Sequence, residues 1–227
     1  RGVIKLLQEA GHSVVGMNLV MSGDVPQGAG LSSSAALEVG TAYLTQLISG
    51  FDLDKVAMAK LCQRAENTFV GVNCGIMDQF ISALGAVDHA LFLDCRSLDY
   101  ELVPLPSGDE YKIVICNTAV KRGLVDSAYN ERRSQCEEGV ALLQEYLPEI
   151  KALRDVTVAE FEQYKGKLPE LVARRCAHVI YENQRVLDSV AALKAKDVAK
   201  FGQLMYESHV SLRDLYEVSC KELDIMV

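Results

Sequence analysis

No stretch of this 227-residue chain is apolar for long enough to cross a bilayer: runs such as residues 112–116 stop far short of the roughly 18–20 residues a spanning helix needs. Basic charge is scarce as well. Lys and Arg number 23 against 31 Asp and Glu, for a net charge of −8, and no window gathers a basic stripe, which argues against a surface that tracks nucleic-acid phosphates. The first residues carry no charged leader, apolar core and small-residue cleavage site, so a cytoplasmic protein is expected. The seven cysteines, at positions 62, 74, 95, 116, 136, 176 and 220, are odd in number, and no two have the close spacing of zinc ligands. They read as reduced thiols, mostly small buried hydrophobes. Repeats and low-complexity tracts are absent. What is present is 49% hydrophobic content, enough for one large core or two modest ones, on an acidic chain that suits an enzyme of small molecules.

Apolar residues at 3, 4, 6 and 7 predict a helix over residues 1–10, closed by Gly11. Residues 15–22 alternate with a period of two and predict a strand. A glycine-rich loop follows, and then Leu37, Val39, Tyr43, Leu44, Leu47 and Ile48 recur at helical spacing. A second helix is expected over 54–69 with Asp52 or Asp54 as its cap, and a short one over 76–84 that carries Asp78. Strands are expected at 90–94, 101–105 and 112–117, and helices at 125–146, 158–164, 171–193 and 198–216. The change in character near Pro104, Pro106 and Gly108 divides the chain into a mixed lobe, 1–108, and a helix-rich lobe, 109–227, so the fold class is α+β.

The loop between the first strand and the next helix reads Pro26-Gln27-Gly28-Ala29-Gly30-Leu31-Ser32-Ser33-Ser34-Ala35. A glycine turn that opens a helix presents unpaired backbone N–H groups and the positive end of the helix dipole, which together suit a phosphate. A serine in the first turn can ligate magnesium or donate to a phosphate oxygen. An ordinary serine N-cap ahead of a core helix is the simpler alternative for one Gly-x-Gly, but it explains the whole string poorly. No lysine lies between Asp24 and Ala36, which closes the Walker A option. Ser33 stands where a dinucleotide fingerprint wants its third glycine, so a nicotinamide oxidoreductase is a weak competitor.

This loop resembles that of the galactokinase, homoserine kinase, mevalonate kinase and phosphomevalonate kinase superfamily. Three further segments are similar to galactokinases of bacterial type: Cys74-Gly75-Ile76-Met77-Asp78-Gln79-Phe80, Asp94-Cys95-Arg96-Ser97-Leu98, and Ser127-Ala128-Tyr129-Asn130-Glu131-Arg132-Arg133-Ser134-Gln135-Cys136. The resemblance covers essentially the whole chain. It implies a two-lobed kinase fold with ATP and sugar bound between the lobes, and phosphorylation of D-galactose at its 1-hydroxyl. Residues Gly28, Ala29, Gly30, Leu31, Ser32, Ser33 and Ser34 would then wrap the ATP phosphates, Ser34 and Glu66 would hold Mg²⁺, Asp78 would be the catalytic base, and Gly75 and Tyr129 would contact galactose beside Asp78. The family assigns Cys74 no role, and no histidine lies near it, so a catalytic thiol is not expected.

Two family motifs have no counterpart in these 227 residues: the amino-terminal one with its arginine and Glu-His-x-Asp group, and the carboxy-terminal glycine-rich one. The resemblance therefore implies an internal fragment of a longer kinase, expected to be inactive by itself. A sister kinase of the superfamily would share the loop but lack the Met77-Asp78-Gln79 setting, and a non-catalytic sugar sensor would bind both ligands without turnover. His12, His89, His178 and His209 show no metal spacing and are expected at the surface or at caps. Arg174-Arg175 and the lysines of 194–200 are expected on solvated faces.

Overall fold

In a computed structural model, residues 1–72, 74–106, 111–118 and 125–227 are described, with side chains of 125–129 excepted. The chain divides into two compact units, Arg1–Leu105 and Pro106–Val227.

The first unit packs four helices: α1 (Gly2–Glu9), α2 (Ser33–Ser49), α3 (Lys55–Ala65) and α4 (Met77–Leu84). Asp54 caps α3, its Oδ1 accepting from the backbone N–H groups of Val56 and Ala57 at 2.9 and 3.1 Å, so of the two candidate caps Asp54 is the one used. The core gathers Val3, Leu6, Leu7, Val39, Ala42, Met58, Cys62 and Ala65. The face that α2 buries is made mostly of smaller side chains, Ala35, Val39, Ala42 and Thr45, with Gln46, while Leu37, Tyr43, Leu47 and Ile48 are exposed. Small side chains let the helix axes approach closely. Past α3 the backbone widens into a π turn, Glu66–Val70, which ends at Gly71 with φ +90°.

The described sheet is one antiparallel hairpin, β1 (His89–Leu93) and β2 (Tyr100–Pro104), with His89 opposite Pro104 and Leu93 opposite Tyr100. The Asp94 carboxylate folds the turn by accepting from Arg96 and Ser97 N–H at 2.8 and 3.1 Å. The strands expected at 15–22 and 112–117 form no ladder among the described residues. Alternation reports which side chains share a face, whereas a strand also needs a neighbour to exchange backbone hydrogen bonds with.

The second unit is helical: α5 (Val125–Leu143), α6 (Val158–Tyr164), α7 (Glu170–Lys194), α8 (Val198–Ser211), a π turn over Leu212–Tyr216, and α9 (Lys221–Met226). Its core joins Leu143, Ile150, Leu153, Val156, Phe161, Val172, Cys176 and Ile180. Thr157 and Glu160 start α6 as a capping box, and Asp197 caps α8 through Lys200 N–H. Two expectations fail here. Arg175 is 1% exposed and anchored among polar partners, whereas its neighbour Arg174 reaches solvent. His178 is buried against the Ser211 hydroxyl, 2.8 Å away, and burial pushes its imidazole below the usual range. Both lie on the stretch of α7 that packs against neighbouring elements, where Arg175 bonds to Gln135 of α5 and His178 to Ser211 of α8.

Gly139 marks the closest approach of α5 to α7: a Cβ there would overlap Cys176 Sγ and lie 3.3 Å from Val172 Cγ1. Gly139→Ala is expected to destabilise this unit by about 1–3 kcal/mol, an overpacking cost, and Cys176→Ala to restore most of that loss. Chemical denaturation of the single and double variants checks this, and no rescue would mean that the helices meet elsewhere.

Candidate functional site

The site lies in the first unit and begins with the glycine loop. Gly28 and Gly30 have φ of +71° and +73°, a region costly for residues with a Cβ, and open space lies beside each Cα. Ser32 also takes a left-handed conformation, φ 56°, at the N-cap of α2. Its hydroxyl makes no capping bond, so the N–H groups of the first turn are not taken up by the usual side-chain cap. A left-handed cap preceded by two left-handed glycines forms a concave backbone surface rich in donors, the chemistry of an anion site at a helix N-terminus. Ser34 sits exposed in that first turn, directly before buried Ala35.

One turn further along α2, on the same face as Ser34, is Glu38. Its carboxylate meets an amide from another helix: Gln79 Nε2 of α4 lies 3.3 Å from Glu38 Oε2 and 3.0 Å from Glu66 Oε2. Glu66 opens the π turn after α3. Three helices thus converge on one fully buried amide, and with them come Ser34, Glu38, Glu66 and Asp78. Burial, with a smaller push from the negative Glu66, raises the Glu38 carboxyl to about 7, against the lowering effect of the Gln79 hydrogen bond.

Asp78 occupies the first turn of α4 with its carboxylate exposed, while its neighbours Gln79 and Phe80 are both fully buried. The helix is therefore anchored by the two residues that follow Asp78, and Asp78 itself faces outward. Cys74 is tied to the same corner: its N–H and thiol both donate to Asn67 Oδ1, and its carbonyl accepts from Gln63 Nε2 at 3.2 Å. Partial burial raises its thiol, which agrees with a structural rather than a nucleophilic role. Gly75 is exposed, with open space beside its Cα. The side chain of Tyr129 lies outside the described residues.

The donor set suits Mg²⁺, a hard cation that takes a few protein oxygens and completes its shell with water and phosphate. A serine hydroxyl and a carboxylate held at a defined position supply that much. Among the described residues no three His, Cys, Asp or Glu side chains gather as a closed metal cage. Glu38 is the residue that the sequence reading missed, although the spacing Ser34-x-x-x-Glu38 already places both on one face of a helix.

Residues 1–86 match the family described as GHMP kinases N terminal domain. Along its whole length the chain is similar to galactokinases. It is 49% identical over 227 residues to the galactokinase of Roseiflexus sp. (strain RS-1) and 48% identical to that of Chloroflexus aurantiacus. All of this chain and 58% of each relative are covered, so the chain spans somewhat more than half their length. Among solved structures, Lactococcus lactis galactokinase complexed with galactose superposes with a TM-score of 0.87 at 36% identity, over 98% of this chain and 57% of that one. The α+β expectation therefore stands, as a helix-rich fold like that of this solved structure, with a small described sheet.

Proposed function

We propose that the protein to which this chain contributes transfers the γ-phosphoryl group of ATP to the 1-hydroxyl of D-galactose, giving galactose 1-phosphate and ADP. The observation that carries this reading is the junction of Glu38 and Glu66 on the buried Gln79 amide, with Ser34 one turn before Glu38 on α2, Asp78 directly before Gln79 on α4, and a glycine loop shaped for an anion at the start of α2. Backbone N–H groups of residues 28–34 bind the phosphates. Ser34 and Glu66 hold Mg²⁺, which neutralises phosphate charge when bound. Asp78 orients the sugar hydroxyl and accepts its proton as the new oxygen–phosphorus bond forms and the bond from the γ-phosphorus to the bridging oxygen of ADP breaks. Gly75 and Tyr129 contact galactose. In this reading the phosphate loop and the base belong to one lobe, 1–108, and the helices of 109–227 form the other.

The cytoplasm is the proposed location. All seven cysteines are free, and no described helix is long and apolar enough to cross a membrane. Phosphorylation of a panel of sugars by the complete protein tests the substrate: galactose is expected to lead, and turnover of an unrelated alcohol in its place would overturn the reading. Ser34→Ala is expected to weaken magnesium-dependent turnover more than galactose binding, because the lost oxygen faces metal and phosphate rather than sugar. Turnover that stays unchanged across a magnesium titration would remove Ser34 from the metal site.

A further inference from the structure

We propose that Gln79 is a positioning residue: its buried side-chain amide fixes the Glu66 carboxylate for the metal and yokes the helix of Asp78 to the helix of Ser34. This rests on the reading of Glu66 as a metal ligand. Gln79 is fully buried, and its one nitrogen carries two protons, which matches two carboxylate oxygens at 3.0 and 3.3 Å on two different helices. Its Oε1 is buried without a partner among the described residues. A buried amide that leaves its own oxygen unsatisfied is costly, so packing alone does not explain a glutamine here, and an apolar side chain of similar size would fill the space without that cost.

The arrangement is selective for an amide. A methionine would offer neither carboxyl an N–H donor, and a glutamate would bring a third carboxyl to the junction. With glutamine, one oxygen of Glu66 is held at a fixed place while its carboxylate remains a ligand. Because Gln79 directly follows Asp78 in α4, the same amide that orients Glu66 also registers the proposed base against α2, through its second bond to Glu38. Preorganisation of this kind acts through the residues it holds, so its signature is coupling to them and not loss of substrate contact.

The test is a double-mutant cycle in the complete protein, read by direct binding of Mn²⁺ in the presence of ADP with electron paramagnetic resonance, and independently by steady-state kinetics. Gln79→Met is expected to weaken Mn²⁺ binding about tenfold and to lower kcat while the KM for galactose stays within about twofold. In a Glu66→Ala background the same substitution is expected to add little to the loss of Mn²⁺ binding, because the carboxylate it positions for the metal is gone. Should Gln79→Met fail to fold, Gln79→Asn, one methylene too short to reach both carboxylates, is expected to show the same coupling. Unchanged Mn²⁺ binding in a folded variant, or losses that simply add across the cycle, would overturn the proposal. Absence of galactose turnover in the unsubstituted protein would instead overturn the functional reading, and the Mn²⁺ arm would still judge Gln79.

Discussion

Asp78→Asn in the complete protein is expected to lower turnover by about 10² or more while galactose and ATP binding stay close to those of the parent. Asparagine keeps the shape of the side chain and its hydrogen-bonding reach but cannot take a proton. The fold has little reason to respond. Asp78 is exposed, its backbone carbonyl accepts from the Ser82 hydroxyl at 2.8 Å, and α4 is anchored by Gln79 and Phe80. An N-terminal aspartate also favours its helix through the dipole, so a purely structural role predicts a small stability loss of a few tenths to about 1 kcal/mol and no selective loss of rate. Kinetics with calorimetric binding of both ligands separates the two. Full turnover in a folded variant would make Asp78 a helix-start residue, and loss of both ligands would make it part of the scaffold.

Arg175→Ala is expected to destabilise the helical unit by about 3–5 kcal/mol, whereas Arg174→Ala, one residue away, should cost no more than about 1 kcal/mol. The Arg175 guanidinium donates through Nε to Gln135 Oε1 at 3.0 Å, and through its two terminal nitrogens to the Leu215 carbonyl and the Glu217 carboxylate. These partners tie α5, α7 and the π turn together. The π turn ends at Glu217, φ 57°, where helix carbonyls run out of N–H partners, and Arg132 takes two of them, Tyr216 O at 2.7 Å and Glu217 O at 3.3 Å. Removing Arg175 leaves a large cavity and takes the guanidinium donor from Gln135, the Leu215 carbonyl and Glu217. Arg174 only reaches out to Glu217 Oε1, a pair with both partners more than a third exposed. Denaturant unfolding, with hydrogen exchange in α7 and α8, measures the difference. Equal effects of the two substitutions would contradict this account of the junction.

The helical outline was legible because its signals are local. Thr157 and Glu160 start α6 with bonds three residues apart, Asp54 caps α3 through its own next turn, and the bounds expected for 158–164 and 198–216 agree with α6 and with α8 plus its π turn. The glycine loop was legible for the same reason, since left-handed backbone at Gly28 and Gly30 is a property of the residue before any packing occurs. The recognition of the Asp78 segment came from its resemblance to galactokinases; composition and periodicity alone left it as a first-turn aspartate.

What the chain determined by itself, then, was which segments are helices, where they begin, and which loop takes left-handed glycine backbone ahead of a helix. Tertiary structure alone decided the rest. Arg174 and Arg175 are the same residue type side by side, yet a rotation of about 100° along α7 sends one to solvent and the other between helices. The alternation at 15–22 and the apolar run at 112–117 were real patterns, but a ladder also needs a partner strand, which no local pattern supplies. Glu38, Glu66 and Gln79 are separated by 28 and 13 positions in the chain, and only the packing of α2, α3 and α4 makes them one hydrogen-bonded junction. Such contacts depend on the relative placement of whole helices, which is set by the sum of many buried surfaces and is not encoded at any one of the three positions.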